Sequence, residues 1–243
     1  MDASTQIRNA LHSQSFPTPS VPWTTTLTSR VPTPPLPSLI ATAKARLLAS
    51  DLTTPNLLDP SSSATFPPAA TDPQTPETTL PRDVPCQVLD VENLALSRWE
   101  QVEELEAVAR GEMTTGRRVV RLAAAEEQAE YDNVDEGAAP GRTQAAAAPP
   151  QQRKNATHRL VLQDCKGQKV YAMELRRVER IGVGVTNIGE KVMLKAGTVV
   201  ARGTVLLEPE KCMMLGGKVD AWQKAWMEGR IARLKEAVGA DRP

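Results

Sequence analysis

The order of apolar and polar positions divides the chain into an N-terminal part with helical periods and a C-terminal part with short alternating runs. In the first part, the apolar residues of 38–52 recur with a period near 3.6, and 4–12 and 23–29 are weaker helix candidates. Residues 60–82 are then dense in Pro, Ser, Thr and Ala. This composition offers little apolar surface to offset the entropy of ordering, so it predicts a flexible linker after a helical unit at 1–59.

Beyond residue 82 the pattern changes to short strands. Six runs of alternating or continuous apolar residues lie between turn residues, at 86–94, 158–164, 169–175, 191–195, 198–202 and 204–208. Glycines stand at several corners, and Gly167 supplies the positive φ that a hairpin loop often needs. Short strands with glycine corners favour a closed or partly closed barrel, and five or six of them favour an OB-fold.

Two helices are predicted to accompany the barrel. Ser97 and Glu100 have the spacing of a capping box, in which each side chain satisfies a backbone N–H, and Gly111 ends the helix that follows. A terminal helix is predicted at 218–238. The fold class is therefore α+β, with a five- to six-stranded OB-fold barrel and terminal helix at 83–243, preceded by the small helical unit.

A long insertion, at about 112–156, separates the first and second barrel strands. It has no dependable period, and loops of this length in compact domains are usually disordered or functional. Residues 92–136 hold 12 acidic residues and five arginines, whereas residues 153–235 hold 17 basic and eight acidic residues. The barrel half is therefore basic and the inserted region acidic.

Composition narrows the function classes. A chain of 243 residues with 40% hydrophobic residues and no formal net charge suits one sizeable domain plus a smaller unit. The three cysteines form no C-x-x-C pair, and neither His12 nor His158 has a catalytic partner at a recognised spacing. The N-terminus has no basic flank, and no window approaches the roughly 20 apolar residues of a membrane helix. We expect an intracellular protein that is not an enzyme and uses no metal, cofactor or membrane.

The stretch Gly216-Gly217-Lys218 invites comparison with a phosphate-binding loop. That loop requires G-x-x-x-x-G-K-[ST], but Cys212 occupies the first glycine position and Val219 the hydroxyl position. We therefore interpret the two glycines as a tight corner between a strand and the terminal helix, which brings the helix close to the barrel.

The basic charge of the barrel half also suggests nucleic-acid binding as a function. Five side chains could attract DNA phosphates in a salt-sensitive, sequence-blind manner, namely Arg176, Arg177, Arg180, Lys191 and Lys195. OB-folds that hold single strands also use aromatic stacking platforms, and Tyr171 is the only aromatic residue between His158 and Gly217. A solvated basic surface, or one facing an acidic protein, is favoured over direct binding of single-stranded DNA.

The C-terminal two thirds of the chain resembles the RecQ-mediated genome instability protein 1 family. The resemblance runs through VLDVENLALSRWEQVEELE at 88–106, YAMEL at 171–175 and GEKVMLKAGTVVARGTVLLEPEKCMMLGGKVDAW at 189–222. Its most specific part is LLEPE at 206–210, followed by LGG at 215–217 and a helix. Members of the family carry an N-terminal helical unit on an OB barrel.

The resemblance implies a non-catalytic nuclear subunit that binds a type IA topoisomerase and a RecQ-family helicase. The insertion would reach the topoisomerase gate and tune it for decatenation and for dissolution of double Holliday junctions. Lys211, Leu215, Gly216 and Gly217 would lie near the docking surface or support it. Two alternatives stay open: an OB module that binds single-stranded DNA directly, and an assembly adaptor whose acidic insertion recruits another basic protein.

Overall fold

A computed structural model describes residues 2–29, 34–110 and 156–240. The helices of these ranges are α1 (Ala3–Ser13), α2 (Val21–Thr28), α3 (Leu36–Ala49), α4 (Arg98–Ala109) and α5 (Asp220–Ala240), with a 3-10 turn at Pro68–Ala70. The strands are β1 (Glu77–Thr79), β2 (Val84–Asn93), β3 (His158–Asp164), β4 (Lys169–Glu174), β5 (Lys191–Leu194), β6 (Val199–Ala201), β7 (Thr204–Leu207) and β8 (Cys212–Gly216). The predicted insertion at 112–156 lies outside the described residues except at Ala156.

The strands form one curled sheet in the order β1-β6-β7-β4-β3-β2-β5-β8. All neighbours are antiparallel except β4 and β7, which run parallel. In β2 the register shifts between Val88 and Asp90, and such a bulge increases the local bend of a strand. The expected α+β class is confirmed.

Two strands were not predicted from the sequence. Strand β1 is three residues long with mostly exposed side chains, and it is held by pairing such as Glu77 opposite Ala201. Strand β8 was not among the six predicted runs, although the glycine corner was expected to follow a strand, and it pairs antiparallel with β5. The sheet therefore has eight described strands, because pairing with distant residues extends it at both ends.

The inward faces of the strands enclose the larger core. Along β4, Val170 and Ala172 are buried while Lys169, Tyr171 and Met173 are exposed, as the two-residue period of a strand requires. The core is completed by residues from outside the sheet and from α5, including Phe66, Ala70, Leu80 and Trp226.

The expected flexible linker at 60–82 is wrong. Phe66 and Leu80 are buried in the barrel core. The backbone N–H of Phe66 donates to Asp164 Oδ2 at 3.0 Å, and that of Leu80 donates to the carbonyl of Thr198 at 2.9 Å. A few widely spaced apolar side chains are enough to hold this proline-rich segment on the barrel, although its average composition is that of a linker.

Helices α1 to α3 pack together around a second core of their own, built from residues such as Ile7, Leu11, Leu27, Ala43 and Leu47. The three helices correspond to those predicted, with shifted ends. The second begins at Val21 because Ser20 Oγ accepts from the N–H of Trp23 and Pro22 is tolerated in a first turn. The predicted capping box of α4 is present, with both Ser97 and Glu100 bonded.

The helical unit packs against the outer face of β2, β5 and β8. The amide of Gln87 links the two parts, because it accepts from the N–H of Leu52 at 2.9 Å and donates to Asp51 Oδ1 at 2.6 Å. Gly217 lies directly against Leu48 of α3. Strands β2 and β5 are therefore buried on both faces, which explains their nearly continuous burial.

Candidate protein-docking surface

The outer face of β5 and β8 is only partly covered by the helical unit. In the paired strands, Met193 lies opposite Met213, and both point away from the core formed by their neighbours Val192 and Met214. Met193 is buried, whereas the side chain of Met213 is 39% exposed. The helical unit thus covers this face at Met193 on β5 but leaves it exposed at Met213 on β8, and we call this part of β8 the exposed margin.

A groove of about 520 Å³ runs beside that margin. Strand β8 forms one wall, and the chain segment after β4 forms the other. The lining residues are Arg177, Val178, Glu179, Arg180, Lys195, Pro209, Glu210, Cys212, Met213 and Met214. The groove therefore combines apolar and charged side chains, a mixture typical of protein contact surfaces.

The cysteine in the groove has no reactive character. Burial raises the pKa of the Cys212 thiol to about 12, and the carboxylates of Glu174 and Glu190 add to the shift. A thiol reacts as a thiolate, so Cys212 is a poor nucleophile at neutral pH.

Two arginines of the groove are held by buried carboxylates. Arg177 contacts Glu174 Oε1 at 2.7 Å, and Arg180 contacts Glu190 Oε1 at 3.1 Å. Burial raises the pKa of Glu190. Burial also acts to raise the pKa of Glu174, but hydrogen bonds from His158 and Val178 and the charge of Arg177 together lower it. Each of the two guanidinium groups thus has a carboxylate partner that largely offsets its charge.

The interpretation of Lys191 as a surface cation is wrong. Its side chain lies beneath the helical unit, and the residue is 1% exposed. Its ammonium donates to the carbonyl of Gly189, while Asp51 and Glu190 supply opposite charge. Burial lowers its pKa to about 8, because removing the charged form from water costs more than these partners return. Lys191 is therefore buried between the two parts of the protein and is not available to contact a DNA phosphate.

The other predicted phosphate contacts are also engaged within the chain. Arg176 pairs with Glu208 at 3.4 Å and with Glu210, and Lys195 pairs with Asp83 at 2.8 Å. These cations, with Arg177 and Arg180, lie around the groove. Each is matched by a carboxylate, so they do not form a track of unbalanced positive charge.

The four residues predicted near the docking surface fall into two groups. Lys211 lies beside the groove. Its backbone carbonyl accepts a hydrogen bond from the N–H of Lys195, and its ammonium donates to the carbonyl of Gly197 at 2.7 Å. Leu215 packs against the core of the helical unit, and Gly217 touches α3, so both support β8 from behind. Gly216 lies between them, near Arg180.

Sequence reasoning missed Met213 as a candidate contact. Cys212, Met213 and Met214 are all apolar, so no alternation in the sequence distinguishes the exposed Met213 from its two buried neighbours. This run was not counted among the six predicted strands, so the exposed position on it was not considered as a contact.

The glycine pair forms the predicted corner between β8 and α5. Gly216 and Gly217 both have positive φ, at 94° and 86°. The close neighbour of Gly217 is α3, whereas Gly189 is the glycine that lets the start of α5 approach the barrel, facing Val219.

Among the described helices, none is long and apolar enough to cross a membrane.

Two family models match the chain. Residues 11–55 match the model of the RMI1 N-terminal helical domain, and residues 66–230 match that of the RMI1 N-terminal OB-fold domain. RecQ-mediated genome instability protein 1 of Schizosaccharomyces pombe is 28% identical over 145 residues. The match covers 60% of this chain, and the chain spans about 60% of the length of that relative. The OB-fold expected from the strand pattern is thereby confirmed, and because one model covers more than half of the chain, the chain belongs to the RMI1 family.

Proposed function

We propose that the chain is a non-catalytic subunit of a nuclear genome-maintenance assembly that binds a type IA topoisomerase and a RecQ-family helicase. Membership of the RMI1 family and the name of the yeast relative support a role in genome stability. The observation that carries the docking step is the groove beside β8, where the exposed side chain of Met213 adjoins positioned charged groups. The topoisomerase docks there.

The rest of the fold has supporting roles in this proposal. Leu215, Gly216 and Gly217 brace β8 against the helical unit, and Lys211 contacts the topoisomerase at the margin of the groove. The insertion at 112–156 acts on the topoisomerase gate and favours decatenation and dissolution of double Holliday junctions. A change of about 1.4 kcal/mol in the relative free energy of the open and closed gate alters their ratio tenfold, so a modest contact is sufficient.

The test is a sedimentation titration against the type IA topoisomerase of the same organism. The full chain is compared with a variant in which 112–156 is replaced by a short Gly-Ser linker. Equal affinities together with weaker decatenation by the linker variant would support docking by the barrel and gating by the insertion. Failure of both chains to bind would overturn the proposal.

Direct binding of single-stranded DNA is the second candidate, and one observation favours it. Tyr171 is 52% exposed on the outer face of β4, and the guanidinium of Arg159 lies 5.1 Å from the centre of its ring. Such a pair can stack on a base. An affinity for single strands without topoisomerase, falling steeply with salt and abolished in a Tyr171→Ala variant, would favour this candidate.

A further inference from the structure

Strand β8 ends the sheet, and within the described part of the chain no strand pairs with its outer edge. The backbone N–H of Lys195 donates to the carbonyl of Lys211, which identifies these two as a hydrogen-bonded pair. Hydrogen-bonded and non-hydrogen-bonded pairs alternate along antiparallel strands. Met193 and Met213 lie two residues from that pair, so they also form a hydrogen-bonded pair. The N–H and C=O groups of Met214 therefore point away from β5, to the outer edge.

The contacts of Met214 agree with this direction. Its carbonyl accepts from Arg180 Nη1 at 2.6 Å, and that guanidinium reaches across from the opposite wall of the groove. Arg180 thus occupies a hydrogen-bonding position that a neighbouring strand would otherwise take. Sheet edges with outward N–H and C=O groups are the surfaces to which extended peptides add as further strands.

The groove beside this edge suits a peptide better than a phosphate backbone. Its lining includes Val178, Pro209 and Met213, which offer apolar contact. The charges of Arg177 and Arg180 are largely offset by buried carboxylates. A nucleic-acid strand gains its affinity from unbalanced positive charge, whereas strand addition gains it from backbone hydrogen bonds and apolar side chains.

We propose that an extended, mainly apolar segment of the topoisomerase adds to β8 as a further strand. The segment accepts a hydrogen bond from the N–H of Met214, donates one to its carbonyl in place of Arg180, and places an apolar side chain against Met213. This inference rests on the proposed topoisomerase docking and specifies how it is achieved.

Amide hydrogen exchange of the full chain, at single-residue resolution with and without saturating topoisomerase, tests the proposal. The amide of Met213 is an internal control, because it lies in the β5–β8 ladder in both states. We expect at least tenfold slower exchange at Met214 in the complex, with little change at Met213. A complex that forms but leaves Met214 unprotected overturns strand addition alone, whereas absence of a complex overturns the proposed function itself.

A pair of variants gives an independent readout. Met214→Pro and Met214→Ala both remove the buried thioether, but only proline also removes the outward N–H, and edge strands tolerate proline there. We expect the Kd for topoisomerase to be roughly 3- to 10-fold higher for the proline variant than for the alanine variant, as for one lost hydrogen bond. Equal Kd values would overturn the proposal. Protection of Met214 by a single-stranded oligonucleotide alone would also overturn it.

Discussion

A Cβ atom placed on Gly217 would lie 2.5 Å from the carbonyl oxygen of Leu48, far inside van der Waals contact. The corner between β8 and α5 thus touches the end of α3 through bare backbone. Because the atom in the way is itself backbone, it cannot swing aside as the end of a flexible side chain would. This contact fixes the helical unit on the outer face of the barrel.

Gly217→Ala should therefore destabilise the protein by more than backbone strain alone. Gly184 is a matched control, since its φ of 83° is similar but a Cβ there meets nothing within 4 Å. We expect about 1 kcal/mol for Gly184→Ala and about 3 kcal/mol or more for Gly217→Ala, measured by urea unfolding. Equal losses of unfolding free energy in the two variants would show that α3 moves aside easily and that the contact does not stabilise the fold.

Lys191 should make the free energy of unfolding change with pH in the alkaline range. Its pKa is about 8 in the folded state, whereas the ordinary value, which applies to the unfolded chain, is 10.5. Between these two pH values the unfolded chain therefore binds more protons than the folded one. Stability contributed at this site must rise as pH increases through that interval. Below pH 8 the ammonium is charged in both states and its burial is most costly.

The measurement compares wild type with Lys191→Met from pH 7 to 10. The free energy of unfolding of the wild type should gain on that of the variant by about 1 to 3 kcal/mol over this range. Taking the difference cancels other groups that titrate there, including the cysteines. A constant difference would contradict the buried, charged position of Lys191.

Glu174 should produce a pH dependence of the same sign, but in the acid range. Its pKa lies below the ordinary 4.5, so its stabilising effect is present above that value and is lost as pH falls through the folded-state pKa. Replacement by Gln leaves His158 and Arg177 without their buried carboxylate and should cost about 2 to 4 kcal/mol at pH 7. The difference in Tm between Glu174→Gln and the wild type should narrow as pH falls below 4.5. A difference that does not narrow would refute the ionised state.

The joint between helical unit and barrel depends on Gln87. Gln87→Leu keeps the approximate volume but leaves the buried N–H of Leu52 without its acceptor and Asp51 without one donor. We expect a loss of about 1 to 3 kcal/mol in the free energy of unfolding. Hydrogen exchange should quicken at Leu52 first; unchanged exchange there would argue that the two parts are held by apolar contacts alone.

Local signals allowed the helices and the main hairpin to be predicted from the sequence. The capping box at Ser97 and Glu100 and the turn at Gly167 are determined by neighbouring residues, and both are present. Residues 60–82 were misjudged because a few side chains such as Phe66 outweigh the average composition. Long-range pairing, as between Glu77 and Ala201, leaves little trace in a three-residue strand.

The candidate site was harder to predict for the same reason. Lys191 was expected on the surface because a lysine in a strand usually faces water, but the helical unit covers that face of β5. Leu215 and Gly217 were expected near a docking surface or supporting it, and they contact the helical unit. Which face of β8 remains exposed depends on how the two parts pack, and that information lies in no local pattern.

The central claim is that a type IA topoisomerase docks beside β8. Its most direct test is the affinity of that enzyme for Met213→Glu, with Met227→Glu as a control, since Met227 is 57% exposed on α5 and does not line the groove. Both charges should be tolerated by the fold at these exposed positions. We expect at least tenfold weaker binding for Met213→Glu and nearly unchanged binding for Met227→Glu. Equal affinity of the two variants would place the topoisomerase elsewhere on the surface and refute docking beside β8.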